Sequence, residues 1–282
     1  MSAVGVVGLG SMGAVLAHNL VDSGHDVVTH DIAGPERSPE GARFVDRIED
    51  LVGVDVVVLS LPDGGASEQV AHAIVAAAGQ VRHVVDTSTI GVTAAERIGS
   101  LLRVAGIGYV DAPVSGGIAG ARARTLLVMF AGSDDACAAV EPVLAGLSDR
   151  RTRVGDRPGL AQALKLANNF LSATGLAATS EAIAFGTSVG LSMATMLEVL
   201  NAASGQSNAT SEKFPNQVLT GRYAAGFANH LMAKDIGLYR DEVAQAGAPD
   251  EVGALIAAIW QRFAEAEPGA DFTAIYPFVR GS

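Results

Sequence analysis

The sequence predicts an α/β fold in which a doubly wound, mostly parallel sheet is followed by an all-α C-terminal domain. Three observations support this prediction. Short Val-rich runs alternate with longer amphipathic stretches through the first half of the chain, as in successive βα units. The runs are almost continuously apolar, which is typical of parallel strands that are buried on both faces. After a charged segment with Pro and Gly at 150–159, the Val-rich runs stop and helical periodicity takes over.

The predicted elements follow one another in regular order along the chain. We expect strands at 4–7, 26–30, 55–60, 83–86, 108–110 and 125–131. We expect helices at 12–23, 65–78 and 92–104, another that begins near Ser133, and later ones near 160–189, 193–203, 228–246 and 250–265. Ser133 is a good N-cap and is followed by two aspartates, which favour a helix start. We therefore predict a first domain over 1–157 and a helical second domain over 158–282.

Composition and charge exclude several classes of protein. The chain has 19 Lys and Arg against 30 Asp and Glu, a net charge of -11, which repels nucleic acids and anionic membranes. The uncharged run 182–197 contains Gly, Thr and Ser and is shorter than the ~20 apolar residues of a membrane span. No Lys or Arg precedes Arg37, so no signal peptide is expected and we predict a cytoplasmic protein. The single Cys137 and six histidines without ligand spacing predict no metal site.

A glycine-rich run directly follows the first predicted strand and opens the first helix. Glycines in this place allow a tight turn and a close approach of the backbone to a pyrophosphate at the helix N-terminus. The candidate cofactor residues of this run are Gly8, Leu9, Gly10, Ser11, Met12 and Gly13. Strand, helix and spacing agree, so we predict a Rossmann-type dinucleotide site rather than a structural turn.

Asp31, at the end of the second predicted strand, bears on the choice of cofactor. Its carboxylate is placed to accept hydrogen bonds from the ribose hydroxyls and to repel a 2′-phosphate. The position therefore favours NAD, although Arg37 nearby leaves NADP open.

Two further segments are candidates for a substrate site. Ser115-Gly116-Gly117 follows the strand predicted at 108–110, at the edge where parallel sheets bind ligands, and its N–H groups would suit an anion. Read alone, Ser-Gly-Gly is also an ordinary turn. Lys165 and Asn169 lie at i and i+4 on one face of a long helix, and 159–190 holds no charged residue besides Lys165 and Glu181. A solvated stripe would carry more charge, so we predict a site here and burial of the helix in a homodimer or homotetramer.

Together these residues resemble the β-hydroxyacid dehydrogenase family, whose members include 3-hydroxyisobutyrate dehydrogenase and tartronate semialdehyde reductase. The resemblance spans nearly the whole chain. It is carried by the run 8–13, Leu61-Pro62, Asp86-Thr87-Ser88-Thr89, 111–117, 159–169 and Lys234-Asp235 within 231–236.

The resemblance implies a role for each segment. The residues it adds to the cofactor site are Leu61, Pro62, Thr89 and Lys234, the last near the nicotinamide. The residues it assigns to the substrate carboxylate are Ser115, Gly116 and Gly117. Lys165 would be the catalytic group, with Asn169 as its orienting partner, and both would contact the substrate.

By this resemblance the protein is expected to be an NAD-dependent oxidoreductase. It would transfer hydride between C3 of a small anionic 3-hydroxy acid and the nicotinamide, with Lys165 as general acid and base. A lysine base needs a pKa nearer ~7 to 8 than its usual ~10.4, and burial together with Lys234 would favour that change. Three alternatives stay open: an imine reductase, which usually lacks the lysine, an oxidative decarboxylase of the 6-phosphogluconate type, and a non-catalytic nucleotide-sensing module.

Two positions depart from the family pattern. Arg124 stands where the family usually has Gly, and Gln206 where it often has Arg. We interpret Arg124 as an exposed hairpin residue, with a supplementary anion contact as the alternative. The roles of Gln206 and Lys213 stay open, so the substrate pocket is not inherited from any one member.

Overall fold

The computed structural model describes residues 3–51, 53–77 and 79–281. It divides into two compact units, Met1–Lys165 and Leu166–Ser282, which we call unit one and unit two.

Unit one is built on a nine-stranded sheet. The strands are β1 (Ala3–Val7), β2 (Asp26–His30), β3 (Arg43–Phe44), β4 (Val56–Leu59), β5 (His83–Asp86), β6 (Gly108–Asp111), β7 (Val114–Ser115), β8 (Leu127–Ala131) and β9 (Arg150–Gly155). Their order is β3-β2-β1-β4-β5-β6-β8-β7, with β9 paired to β8. The six strands from β3 to β6 are parallel, β8 is antiparallel to β6 and β7, and β9 is parallel to β8.

Helices cover both faces of the sheet. Those of unit one are α1 (Gly13–Asp22), α2 (Gly64–Ala76), α3 (Val92–Val104), α4 (Gly117–Arg122) and α5 (Asp134–Leu147). Side chains cap two of them, because Asp63 accepts from the backbone N–H of Ala66 and Ser133 from that of Ala136. The expected N-cap at Ser133 is therefore confirmed.

The sheet core explains why the strands are so rich in valine. Val56 and Val58 pack toward α1 and α5, whereas Val57 packs toward α2 and α3. All three are at most 3% exposed. Each buried valine contributes about 1.5 kcal/mol or more, so a two-sided sheet favours continuous apolar runs over alternation.

Helix α6 (Leu160–Ser188) begins in unit one and continues into unit two. The helices that follow are α7 (Met193–Ala202), a π-helical segment (Ala209–Val218), α8 (Asn229–Ala246), α9 (Glu251–Ala266) and α10 (Ile275–Gly281). The core of unit two contains Trp260 and Phe263 on α9 and Phe214 on the π-helical segment. All three are fully buried. The indole N–H of Trp260 donates to the carbonyl of Ala173 on α6. Over the described residues, no helix has the length and apolar character that crossing a membrane requires.

The predicted fold class is confirmed, and the predicted helices and long strands are observed within a few residues. One strand within the charged segment 150–159 was not predicted, because Arg150–Gly155 forms β9. Two of its three arginines are paired with acids on α5, Arg151 with Glu141 and Arg153 with Asp134. A charged strand at a sheet edge discourages further pairing, and it carries no apolar pattern to announce it. The short strands β3 and β7 and the π-helical segment were also not predicted.

Candidate active site

The glycine-rich run lies between β1 and α1, as predicted. Gly8 has φ +93°, and a Cβ there would lie 2.3 Å from the carbonyl oxygen of Ser60. A Cβ on Gly13 would lie 1.9 Å from the carbonyl oxygen of Gly8, whereas a Cβ on Gly10 would meet nothing within 4 Å. Gly8 and Gly13 are thus required by packing, and Gly10 leaves open space beside the backbone. No side chain caps α1 at Met12, so the first N–H groups of this helix suit a pyrophosphate.

Asp31 lies just after β2 and reaches back to the glycine-rich run. One carboxylate oxygen accepts the backbone N–H of Leu9, and the other accepts that of Ala33 at 2.7 Å. The side chain is half-buried, and each oxygen has a further lone pair for a ribose hydroxyl. The loop and the acid therefore fit a dinucleotide. Arg37 lies in an exposed 3-10 turn, Pro35–Arg37.

The segments that leave β4 and β5, both expected to line the cofactor site, are joined by Ser88. The backbone N–H of Leu61 donates to Ser88 Oγ at 2.8 Å. The backbone N–H of Ser88 donates to Asp86 at 3.0 Å. Pro62 is exposed and Thr89 is half-buried.

Gln162, on the first turn of α6, was not predicted as a site residue although it lies in a recognised motif. Its side-chain oxygen accepts from the backbone N–H groups of Ile90 at 3.0 Å and Gly91 at 3.3 Å. Its amide nitrogen donates to the carbonyl of Ser88 at 3.0 Å. Its own backbone N–H donates to Asp111 at 3.0 Å. A buried glutamine cannot be told from an exposed one by helical spacing alone.

Asp86 and Asp111 form a buried pair at the carboxyl ends of β5 and β6. They are partners in the strand register and neither is exposed. Burial, with help from the nearby charge of Asp86, raises the pKa of Asp111 to about 7. Hydrogen bonds from backbone N–H groups to the Asp111 carboxylate oppose this rise. Burial also raises the pKa of Asp86. The sequence did not predict a shifted pKa for either residue, because the two acids become neighbours only when β5 pairs with β6.

Ser115-Gly116-Gly117 adopts a conformation that requires glycine. Ser115 ends the short strand β7, and Gly116 and Gly117 have φ values of +133° and +67° at the start of α4. A Cβ on Gly116 would lie 3.1 Å from a methyl of Leu126. The segment is thus a strand-to-helix turn with half-buried Ser115.

Lys165 lies on α6 and is only 8% exposed. Its neighbours in sequence differ, since Leu166 is buried while Leu164 is 45% exposed. Further along the helix, Leu171 and Phe185 are 69% and 70% exposed.

In unit two, Asn169 belongs to a polar cluster with two residues of α8. Its amide nitrogen donates to Asp235 at 2.6 Å, and Lys234 Nζ lies 3.2 Å from the other carboxylate oxygen. Asn169 and Asp235 are 5% and 2% exposed. Asp235, which the sequence analysis did not assign, is thus the buried acceptor of this cluster.

Arg124 is half-buried and is not the exposed hairpin residue that we expected from the sequence. Its backbone has φ +58°, the conformation for which family members use Gly. Its guanidinium donates to the carbonyls of Ala145 and Gly146, both at 2.9 Å, and to Ser23 Oγ at 2.9 Å. A cation at the C-terminal ends of α1 and α5 is favoured by the helix dipoles.

Lys213 lies 5.6 Å from the ring centre of Phe272 in unit two.

Two family models together match almost the whole chain. Residues 3–155 match the NAD binding domain of 6-phosphogluconate dehydrogenase. Residues 159–279 match the NAD-binding region of NADP-dependent 3-hydroxyisobutyrate dehydrogenase.

Curated relatives and solved structures agree with these models. A probable 3-hydroxyisobutyrate dehydrogenase of Mycobacterium tuberculosis is 34% identical over 290 residues, which cover 99% of this chain and 98% of the relative. The 3-hydroxyisobutyrate dehydrogenase of Pseudomonas aeruginosa is 32% identical over 299 residues, 100% of this chain and 99% of the relative. The solved structure of Mycobacterium tuberculosis 3-hydroxyisobutyrate dehydrogenase with L-serine superposes with a TM-score of 0.93 at 32% identity and covers 99% of both chains.

Proposed function

The chain belongs to the β-hydroxyacid dehydrogenase family, and from this premise we propose that it is an NAD-dependent dehydrogenase of small 3-hydroxy acids with Lys165 as general acid and base. Membership makes it an oxidoreductase with NAD(P)-binding domains. The cofactor preference, the position of the oxidised hydroxyl and the residue roles are the proposal.

The observation that carries the proposal is the burial of Lys165, which is 8% exposed on α6. Lysine is almost never buried to this degree unless its charge is paired. A lysine held largely away from water can exchange a proton with a bound substrate, which a solvated surface lysine does poorly.

In the proposed oxidation, Lys165 Nζ takes the proton from the C3 hydroxyl of the substrate. Bound NAD would accept the hydride that leaves C3. In the reverse direction the Lys165 ammonium donates its proton to the carbonyl oxygen. Asn169 keeps the orienting role that the resemblance implies, and Asp235, which accepts from its amide, holds that side chain in one orientation.

The proposed substrate is an anion, because Ser115, Gly116 and Gly117 are assigned to its carboxylate. The two positive φ values turn successive backbone N–H groups in the way that forms anion-binding concavities. The proposed cofactor preference rests on Asp31, whose carboxylate would repel a 2′-phosphate. Lys234, paired with Asp235, is assigned to the nicotinamide end of the cofactor.

A substrate panel tests the proposal. Purified protein is assayed at alkaline pH with NAD and with NADP against 3-hydroxyisobutyrate, 3-hydroxypropionate, L-serine and a primary alcohol that lacks a carboxylate. We expect turnover of at least one 3-hydroxy acid, poor turnover of the alcohol, and loss of activity in Lys165→Ala. The matched control is Arg262→Ala, which removes a cation from an exposed position of unit two.

The same panel separates the alternatives. A nucleotide-sensing module would bind NAD and oxidise none of these acids. An imine reductase would reduce a cyclic imine, added to the panel with reduced cofactor, and would tolerate Lys165→Ala.

A further inference from the structure

We propose that Gln162 is a positioning residue that fixes the first turn of α6, and with it Lys165, on the segment 86–91 that leaves β5. The inference rests on the proposed function, because Gln162 acts through Lys165.

Every polar group of the Gln162 side chain is used, and all of its partners are backbone groups of 88–91. The side chain accepts from the N–H groups of Ile90 and Gly91 and donates to the carbonyl of Ser88. Gln162 is 0% exposed. Loss of the amide would remove a hydrogen bond from each of these three backbone groups beside a buried side chain, which is costly. The amide therefore holds α6 and the 88–91 segment in one relative position.

A second strand holds the same turn. Gln162 is the third residue of α6, so its backbone N–H has no partner within the helix. Asp111, at the end of β6, accepts this N–H at 3.0 Å. Just before the helix, Gly159 approaches α3 so closely that a Cβ there would lie 3.0 Å from a methyl of Val92. The first turn of α6 is thus anchored to β5, β6 and α3, all within unit one.

The contacts form a continuous path from the predicted cofactor side to the lysine. Leu61 donates to Ser88 Oγ, and the Ser88 carbonyl accepts from Gln162. Lys165 follows Gln162 by three residues, one helical turn and about 4.5 Å along the axis. A shift of this turn therefore moves the lysine relative to Leu61 and Thr89, which are assigned to the cofactor site. Proton and hydride transfer are sensitive to displacements of about 1 Å.

The test replaces Gln162 by Met, which keeps the length of the side chain and removes both its donor and its acceptor. The matched control is Gln80→Met, an exposed glutamine of the same unit. The probes are NAD and 3-hydroxyisobutyrate, the latter also with deuterium at C3. We expect kcat to fall at least about tenfold and the Kd for NAD to change much less, because the residues 8–13 and Asp31 are untouched and only Thr89 of the assigned cofactor residues lies in the loosened segment.

Two readouts separate positioning from a structural role. The deuterium isotope effect on kcat should rise in Gln162→Met, because a misplaced Lys165 makes the chemical step limiting. Amide hydrogen exchange should quicken at 88–91 and 160–165 together, and in neither segment of the control. A merely structural role would lower the melting temperature and the active fraction, and would leave kcat per NAD-binding site and the isotope effect unchanged.

Gln162→Glu provides the second variant if the Met chain does not fold. Its carboxylate still accepts from Ile90 and Gly91 but cannot donate to Ser88, so an intermediate kcat is expected. Retention of wild-type kcat and isotope effect in the folded variants overturns the inference. The exchange measurement needs no turnover. If the wild-type chain is inactive but exchange at 88–91 and 160–165 quickens together in Gln162→Met, only the proposed function is overturned. If exchange in the two segments does not quicken together, the inference is overturned.

Discussion

Replacing Asp111 by Asn should remove a pH-dependent loss of stability from unit one. Burial raises the pKa of Asp111 to about 7 from an ordinary value of 3.8. A carboxyl whose pKa is higher in the folded state stabilises that state fully below the unfolded pKa, and this contribution is lost as the pH rises toward the folded pKa. The window runs from about pH 4 to pH 7. An asparagine at this position does not titrate, so its variant lacks the loss.

The size of the effect follows from the two pKa values. Their difference corresponds to about 4 kcal/mol at 1.36 kcal/mol per unit. About 1.5 kcal/mol of it is already lost at pH 5, so about 2.5 kcal/mol separates pH 5 from pH 8. The free energy of unfolding of Asp111→Asn, relative to wild type, should rise by this amount over the interval. For a unit of this size the melting temperatures should diverge by about 5 to 10 °C.

The assay is thermal unfolding of both chains from pH 5 to pH 8, reported as the difference between them. His83, whose pKa burial lowers, remains in both chains. Asp46→Asn, at an exposed position, is the control and should run parallel to wild type. A difference between Asp111→Asn and wild type that stays constant across this range would refute the argument.

Four further outcomes are expected. Lys165→Ala should lower turnover at least ~10²-fold and abolish the rise of oxidation rate with pH, with NAD affinity unchanged. Lys165→Arg should not restore turnover, because guanidinium stays protonated. Near-normal turnover of Lys165→Ala would rule out the lysine mechanism. The wild-type kcat/KM should be at least about tenfold higher with NAD than with NADP, ~1.4 kcal/mol, and Asp31→Ala should reduce that ratio; equal efficiencies in wild type would contradict the role of Asp31. Sedimentation should show a homodimer or homotetramer that Phe185→Asp weakens, since an exposed apolar side chain on α6 suits an association surface, and a wild-type monomer at micromolar concentration would refute this. Arg124→Ala should lower stability by about 2 kcal/mol through lost charge-assisted hydrogen bonds while KM for the hydroxy acid stays within about twofold; a large rise in KM would make Arg124 a substrate contact.

Much of unit one was predictable because its determinants are local. The continuous valine runs predict strands buried on both faces, and the sheet has them at β1, β4 and β5. Gly8 and Gly13 were recognised from their spacing between a predicted strand and a predicted helix. The close approach at Gly13 is local, to the carbonyl of Gly8, whereas that at Gly8 is to Ser60 after β4. The charged edge strand β9 was missed because an edge position, unlike a central one, imposes no apolar pattern.

The sequence by itself determined the order of most helices and strands and the position of the glycine-rich connection. It also placed Lys165 on a long helix. Only the tertiary structure decided which polar residues are buried and what they contact. Gln162 meets Ser88 across 74 residues of chain, and Asn169 meets Asp235 across 66. Asp111 becomes a group with a pKa of about 7 because the sheet places it, out of water, beside Asp86. Desolvation and long-range hydrogen bonds are properties of the assembled fold, and no spacing along the chain encodes them.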